Sequence, residues 1–233
     1  MMVSTNALTA TRESLHRLAE HVVSPCRHAQ TGRIGLRPHP RGLQTPPFGP
    51  EGEIVAVDLD ELVIIDAAGE RRTKVSSLRA AGNFAGIAPG APADVYSPAT
   101  PCELDAPLTL DVDAMRVLAG WYALGASALA ELAARTASES PSEAQLWPEH
   151  LDLAMTVDSV NYGFSPGDAT HPEPYVYVGP HAGRPSADGF WNADFGAVRL
   201  ARDIPDATAS VAFFHAARER LSAFALTTER TTS

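Results

Sequence analysis

Two histidine–carboxylate pairs in the second half of the chain have the residue types that chemistry requires. His150 and Asp152 form an H-x-D pair, and His171 and Glu173 form an H-x-E pair. Two imidazoles and two carboxylates can bind a divalent metal ion and leave a coordination position open for substrate. The pattern therefore predicts a metal site made by these four residues, with His181 as a substitute ligand.

The same segment also allows chemistry without a metal. Paired with Glu149 or Asp152, His150 could act as a general base, because imidazole titrates near neutral pH. H-x-D is a common spacing, and it matches neither HExxH nor a zinc-finger pattern. A purely structural interpretation stays open as well: His150 would bond a backbone carbonyl at a strand start, and His171 would be a turn residue before proline.

Strand alternation is the reason for placing these side chains in a pocket. If 150–157 is a strand, alternate residues point to opposite faces. One face is then small and polar, with His150, Asp152, Ala154 and Thr156. A two-residue turn at Asp158-Ser159 would place Thr156 opposite Asn161 on the next strand. A small polar face favours a close cover by a ligand or by another chain segment. We expect four residues to shape such a pocket: Trp147, Asn161, Tyr175 and Trp191.

Three histidines lie in or beside the first predicted helix, namely His16, His21 and His28. We find no carboxylate joined to His21 and His28 at ligand spacing. A structural role is therefore the favoured interpretation of this group.

Hydrophobic periodicity predicts an α+β fold, with an antiparallel β-sheet flanked by three longer helices. The helices are predicted at 7–30, 112–136 and 207–226. Strands are predicted at 53–58, 61–66 and 71–75, and again within 147–200.

The predicted organisation is a single domain over residues 1–233. Residues 88–110 are rich in proline and alanine and mark a candidate subdomain boundary, and 227–233 is predicted to be a flexible tail. The common nucleotide-binding patterns and the GxSxG elbow do not occur in the sequence.

The charge of the chain disfavours several partners. Its formal net charge is −10, so nucleic acid and anionic membranes are not expected as partners. No apolar run approaches the roughly 20 residues that span a bilayer, and no secretory signal is evident. The two cysteines, Cys26 and Cys102, are far apart and form no CxxC motif. We therefore expect reduced thiols and a cytoplasmic location.

Several stretches resemble an uncharacterised family of actinobacterial proteins. The stretches are LWPEHLDLA, NYGFSPGD, HPEPYVYVGP and FWNADFGA, and GRIGLRP and TPPFG fit the same resemblance. The resemblance covers nearly the whole chain. It implies a bacterial cytoplasmic protein and carries no assigned activity.

The sequence thus predicts a small-molecule enzyme with a His/carboxylate pocket, for hydrolytic or acid–base chemistry. Within it, His150, Asp152 and Glu149 are the candidate catalytic residues, and a divalent metal is a candidate cofactor. Two alternatives remain open. One is a non-catalytic module that binds a small molecule, and the other is a protein-interaction partner without a ligand.

Overall fold

The fold was analysed in a computed structural model that describes residues 3–185 and 189–231, with side chains described up to Phe224. The chain divides into two compact units. Unit 1 comprises Met1–Ala123 and Gln145–Leu153, and unit 2 comprises Leu124–Ala144 and Ala154–Ser233. The division falls inside one helix and one strand, and the proline-rich residues 88–110 belong entirely to unit 1.

In residues 3–185 and 189–231, ten strands form two five-stranded antiparallel sheets, which confirms the predicted α+β class. The first sheet has the order β1-β2-β3-β4-β5 and the second has the order β10-β9-β8-β7-β6. The first sheet consists of β1 Arg37–His39, β2 Gly42–Gln44, β3 Ile54–Asp58, β4 Glu61–Asp66 and β5 Gly69–Lys74. The second consists of β6 Gln145–Trp147, β7 Asp152–Val157, β8 Val160–Ser165, β9 Tyr175–Pro180 and β10 Ala197–Leu200.

Five α-helices accompany the sheets within the same described residues. They are α1 Thr5–Leu18, α2 Ser24–Thr31, α3 Leu78–Ala85, α4 Val112–Arg135 and α5 Ala207–Thr231. The described part of the chain also contains two short 3-10 helices, Ala137–Glu139 and Ala201–Asp203. Helix α5 extends into the segment predicted as a flexible tail, and residues 232–233 of that tail lie outside the described residues.

The first predicted helix is continuous but carries a π-helical segment, Ala19–Val23, between α1 and α2. Pro25 lacks the N–H that would bond the carbonyl of His21 four residues earlier. The backbone N–H of Gly90 donates to that carbonyl instead, with an N···O distance of 3.0 Å. The distortion therefore has a local cause, and π-helical turns of this kind are frequent at functional sites.

Helix α4 matches its prediction closely. Asp111 caps it, because Oδ1 accepts from the backbone N–H of Ala114 at 2.8 Å. Five apolar residues at helical spacing form its buried face and are all fully buried: Met115, Leu118, Tyr122, Leu129 and Leu132.

Among the described residues, α4 is also the one helix long and apolar enough to cross a membrane. Of its most apolar stretch, 44% is buried inside the structure. A core helix of a folded protein meets the same criterion of length and composition.

The hairpin predicted around Asp158-Ser159 is confirmed. Both residues have positive φ angles, 48° and 61°, as the two central positions of a type I′ turn require. The Thr156 hydroxyl donates to Oδ1 of Asn161 at 2.7 Å, so these two residues face each other as expected. The predicted strand at 150–157 begins only at Asp152, because Leu151 has a φ of 52°.

Candidate functional site

The structure divides the predicted site residues between the two units. Unit 1 holds Trp147, Glu149, His150 and Asp152, and unit 2 holds Asn161, His171, Glu173, Tyr175 and Trp191.

The predicted pair of His150 and Asp152 does not share a strand face. His150 lies in a turn, where its backbone N–H donates to the carbonyl of Trp147, and its side chain is exposed. Asp152 begins β7 and is 94% buried, and its charge acts on the phenol of Tyr122. Strand alternation fails here because the positive φ of Leu151 interrupts the extended backbone on which the two-residue period depends.

In unit 2, Asp168 organises the loop that carries His171 and Glu173. Asp168 Oδ1 accepts from the backbone N–H groups of Thr170 and His171, both at 2.7 Å. Its Oδ2 accepts from the Tyr175 hydroxyl at 2.6 Å. The His171 ring packs on Tyr175 with a centroid distance of 5.1 Å. Asp168 thus accepts hydrogen bonds from both Tyr175 and His171 and keeps the two residues next to each other.

Glu173 is occupied by an ion pair. Both of its carboxylate oxygens accept from Nη1 of Arg202, at 2.9 and 2.8 Å. Over residues 3–185 and 189–231, no group of three or more His, Cys, Asp and Glu side chains is arranged to hold a metal ion. His150 and Asp152 belong to unit 1 and His171 and Glu173 to unit 2, so the four-ligand metal site stays a prediction.

The predicted pocket-shaping residues have structural partners. Asn161 Oδ1 accepts from Thr156 and lies 3.0 Å from Nε2 of His181. Trp191 is only 1% exposed, and its carbonyl accepts from Arg184 at 2.9 Å. Trp147, in β6 of unit 1, is half-buried. In the described part of the chain, local hydrogen bonds account for Asn161, and burial accounts for Trp191.

Unit 1 contains a different set of ionisable groups, which we call the His16 cluster: His16, Glu20, Tyr96, Glu149 and the exposed His150. It is centred on α1 and the π-helical segment that follows. His16 Nε2 lies 3.9 Å from Oε2 of Glu20, one helical turn later. The Glu20 side chain is fully buried, and 18% of the His16 side chain is exposed.

Three hydrogen bonds from one loop fix the Glu20 carboxylate. The backbone N–H of Ala99 donates to Oε1 at 2.9 Å. The backbone N–H and the hydroxyl of Thr100 donate to Oε2 at 2.7 and 2.6 Å. Such bonds to an ionised acceptor are strong, and they hold the proline-rich loop against the helix. Part of the segment 88–110, which the sequence marked as a candidate subdomain boundary, is therefore a wall of the cluster.

Burial lowers the pKa of His16 below the ordinary histidine value. The charge of Glu20 and the backbone of Pro148 and Glu149 oppose this by raising the pKa, while His150 lowers it further. Burial outweighs the opposing effects, so the ring is neutral at pH 7. A neutral imidazole beside a fixed carboxylate can accept a proton.

Three polar atoms of the cluster have no hydrogen-bond partner in the described part of the chain. They are Nε2 of His16, the hydroxyl oxygen of Tyr96 and Oε2 of Glu149, and all three are buried. Burial, followed by the charges of Glu20 and Glu149, raises the pKa of Tyr96, so its phenol stays protonated. Buried polar atoms are nearly always bonded, so unpaired ones are characteristic of sites that bind water or a ligand.

His21, beside Glu20, has a structural role instead. Its Nε2 lies 3.0 Å from the carbonyl of Thr100 and 3.1 Å from the Thr100 hydroxyl, which already donates to Glu20. Nε2 therefore carries the proton and donates to the carbonyl. Burial lowers the pKa of His21, which favours this neutral form.

The sequence-based analysis identified Glu149 and His150, favoured a structural role for His16, and missed Glu20 and Tyr96. One signal was available: His16 and Glu20 are four residues apart on a predicted helix, which places them on one face. No local pattern indicated Tyr96, because the loop that carries it is distant in sequence from both α1 and Glu149.

The comparisons with known proteins add no relative. No protein-family model, no curated protein and no solved structure matches this chain. The resemblance to an actinobacterial family remains a prediction, and functional inference depends on the residues of the two units.

Proposed function

We propose that this protein is a small-molecule enzyme that uses the His16 cluster for acid–base chemistry, hydrolysis included. The observation that carries the proposal is the buried pair of His16 and Glu20, with unpaired polar atoms of Tyr96 and Glu149 in the same cluster. Perturbed titration combined with unsatisfied buried groups is typical of catalytic sites.

In this proposal His16 is the general base. Its lowered pKa keeps the ring neutral and able to accept a proton from a substrate or a water molecule. The imidazolium that forms is then stabilised by the carboxylate of Glu20 at 3.9 Å. The arrangement follows the logic of a base and its orienting carboxylate in catalytic triads. Because three hydrogen bonds already fix Glu20, little reorganisation accompanies the proton transfer.

Tyr96 is the proposed acid or hydrogen-bond donor. Its raised pKa keeps the phenol protonated at neutral pH, so it can donate to a developing oxyanion. The carboxylate of Glu149 is the proposed acceptor for a polar hydrogen of the substrate, because its buried Oε2 has no partner in the described structure. His150, exposed at the same segment, would lie at the rim of the site.

A turnover screen tests the proposal. A panel of small esters, lactones, amides and enolisable ketones is incubated with wild-type protein, His16→Gln and Glu149→Gln, and each compound is quantified by mass spectrometry. His181→Gln, at an exposed histidine of unit 2, is the matched control. We expect wild type and the control to consume at least one compound. His16→Gln should consume it at least 100-fold more slowly, because a general base typically contributes about 10²–10⁴-fold to the rate.

Two outcomes contradict the proposal. Equal consumption by wild type and His16→Gln would exclude His16 as the base. A compound that raises the melting temperature of wild type and is not consumed would favour the non-catalytic binding module. Circular dichroism of each variant shows whether its fold is retained.

A further inference from the structure

A depression of about 310 Å³ lies on one face of the first sheet in unit 1, apart from the residues of the His16 cluster. Its floor follows a row of directly paired residues, Gln44, Ala56, Val63 and Arg72, which belong to four successive strands. Ala56 is the smallest residue of that row and lies at its centre. The short side chain creates the depression between longer neighbours, and the floor formed with Val63 and Ile65 is apolar.

One buried carboxylate organises the charged end of the depression. The Asp58 side chain is only 3% exposed, and its Oδ2 accepts from Nη2 of Arg41 and, at 2.8 Å, from Nη1 of Arg72. Asp58 thereby holds two guanidinium groups at one place. Arg72 is further engaged by Glu61 and Glu70, at 3.3 and 2.5 Å.

Arg41 keeps donors available for a ligand. Only its Nη2 is used by Asp58, and 52% of its side chain is exposed. Nε and Nη1 have no partner among the described residues, and the N–H groups of Nη1 can still donate to a carboxylate oxygen. Of Arg41 and Arg72, Arg41 is therefore the residue whose guanidinium a bound anion would contact.

His39 supplies a second donor next to Arg41. Its Nδ1 lies 3.3 Å from the backbone N of Arg41, whose N–H donates to it. The neutral ring therefore carries its proton on Nε2, because an imidazole that accepts at one nitrogen donates at the other. That Nε2–H has no hydrogen-bond partner in the portion of the chain described, and His39 lines the depression.

We propose that this depression binds a small organic monocarboxylate. The carboxylate would be held by Arg41 and by Nε2–H of His39, and the apolar body would lie on Ala56, Val63 and Ile65. The volume is at the lower end of ligand pockets, about 300–1,000 Å³, which favours a compact ligand. Glu61 and Glu70 repel additional negative charge, so a single carboxylate is favoured over a multiply charged phosphate.

Binding of benzoate, compared with its neutral isostere benzamide, tests the inference. Both are titrated into the full-length protein, and shifts of the Arg41 Nε–H signal are followed by NMR. We expect saturable binding of benzoate at least tenfold tighter than that of benzamide. Arg41→Gln should weaken benzoate binding at least tenfold, while Arg33→Gln, at an exposed arginine that does not line the depression, should bind as wild type does.

Arg41→Gln also removes an ion pair with Asp58, so a second variant that leaves the Asp58 ion pairs intact is needed. Ile65 is 39% exposed, so Ile65→Glu should fold and place a negative charge at the floor. Benzoate binding should then be lost. Three results overturn the inference: equal binding of benzoate and benzamide, unchanged benzoate binding in both variants, or no saturable binding of acetate, pentanoate and benzoate. None of these results bears on the His16 cluster, whose residues are untouched.

Discussion

His16 Nε2 lies 3.9 Å from Oε2 of Glu20, within a helix that changes to π geometry at Ala19–Val23. The four-residue spacing places both side chains on one face. The π-helical segment begins between them and accommodates Pro25. Because Pro25 has no N–H, the carbonyl of His21 accepts a hydrogen bond from the backbone N–H of Gly90 instead. The same segment of chain thus fixes the candidate base, its carboxylate and the contact to the loop that completes the cluster.

Acidification should destabilise the protein through its buried histidines. Burial lowers the pKa values of His16, His21 and His39, so below the unfolded value of about 6.5 the unfolded chain binds more protons than the native one. This contribution to stability is complete above pH 6.5 and is lost as pH falls towards the folded pKa values. Urea unfolding at pH 7.5, 6.5 and 5.5 measures it.

We expect the free energy of unfolding to fall between pH 6.5 and pH 5.5 in wild type, and to fall less in His16→Gln. His181→Gln controls for the loss of an exposed imidazole and should keep the slope of wild type. A stability that rises on acidification over this interval would contradict the direction of the three pKa shifts.

Two glycines of α4 should respond in opposite directions to substitution by alanine. A Cβ at Gly125 would lie 2.7 Å from Cγ of Phe164 in the buried interior of unit 2, so Gly125→Ala should lower stability by about 1–3 kcal/mol. Gly120 has no atom within 4 Å of such a Cβ. Gly120→Ala should therefore raise stability by up to about 1 kcal/mol through helix propensity. Thermal and urea unfolding report both values, and a stabilised Gly125→Ala would show that Phe164 is free to move away.

Asp168 should stabilise the loop that carries His171 and Glu173. Burial raises the pKa of Asp168, but hydrogen bonds from Tyr175 and from the backbone of His171 and Thr170 outweigh it, so the pKa is lowered overall. Asp168→Ala removes one acceptor group from three donors and should lower stability by about 1–3 kcal/mol at pH 7.

The exposed Asp194 provides the control, because Asp194→Ala removes only a distant ion pair at 3.9 Å. Since the folded pKa of Asp168 is depressed, its contribution is present above the unfolded value and disappears as pH falls through the folded one. Equal stability of the two variants at pH 7 would contradict the assigned role.

Most of the fold could be predicted because its signals are local. The meander β3–β4–β5 and the hairpin at Asp158-Ser159 follow from alternation and turn residues, and the buried face of α4 follows from helical spacing. Prediction failed at His150 because the positive φ at Leu151 makes the strand begin two residues later than the alternation assumed. An argument from strand alternation cannot detect a single residue with a positive φ.

The candidate site was less predictable, since tertiary contacts assemble it. Glu20 meets Ala99 and Thr100 from a loop without periodicity, and Tyr96 belongs to the same loop. The proline- and alanine-rich composition of that loop indicated only a candidate subdomain boundary. Only the spacing of His16 and Glu20 was visible in sequence, and it had the same form as many surface pairs on helices.

The titration of the His16 ring tests the proposed base most directly. Its Hε1 resonance is assigned with His16→Gln and followed by NMR over pH 4.5–8.5 in wild type, in Glu20→Gln and in the exposed-loop control Glu51→Gln. We expect a pKa below the ordinary 6.5, lowered further in Glu20→Gln because the charge that raises it is removed, and unchanged in Glu51→Gln. A His16 pKa above 6.5, or one that Glu20→Gln leaves unchanged, would contradict the role of His16 as a neutral base held by Glu20.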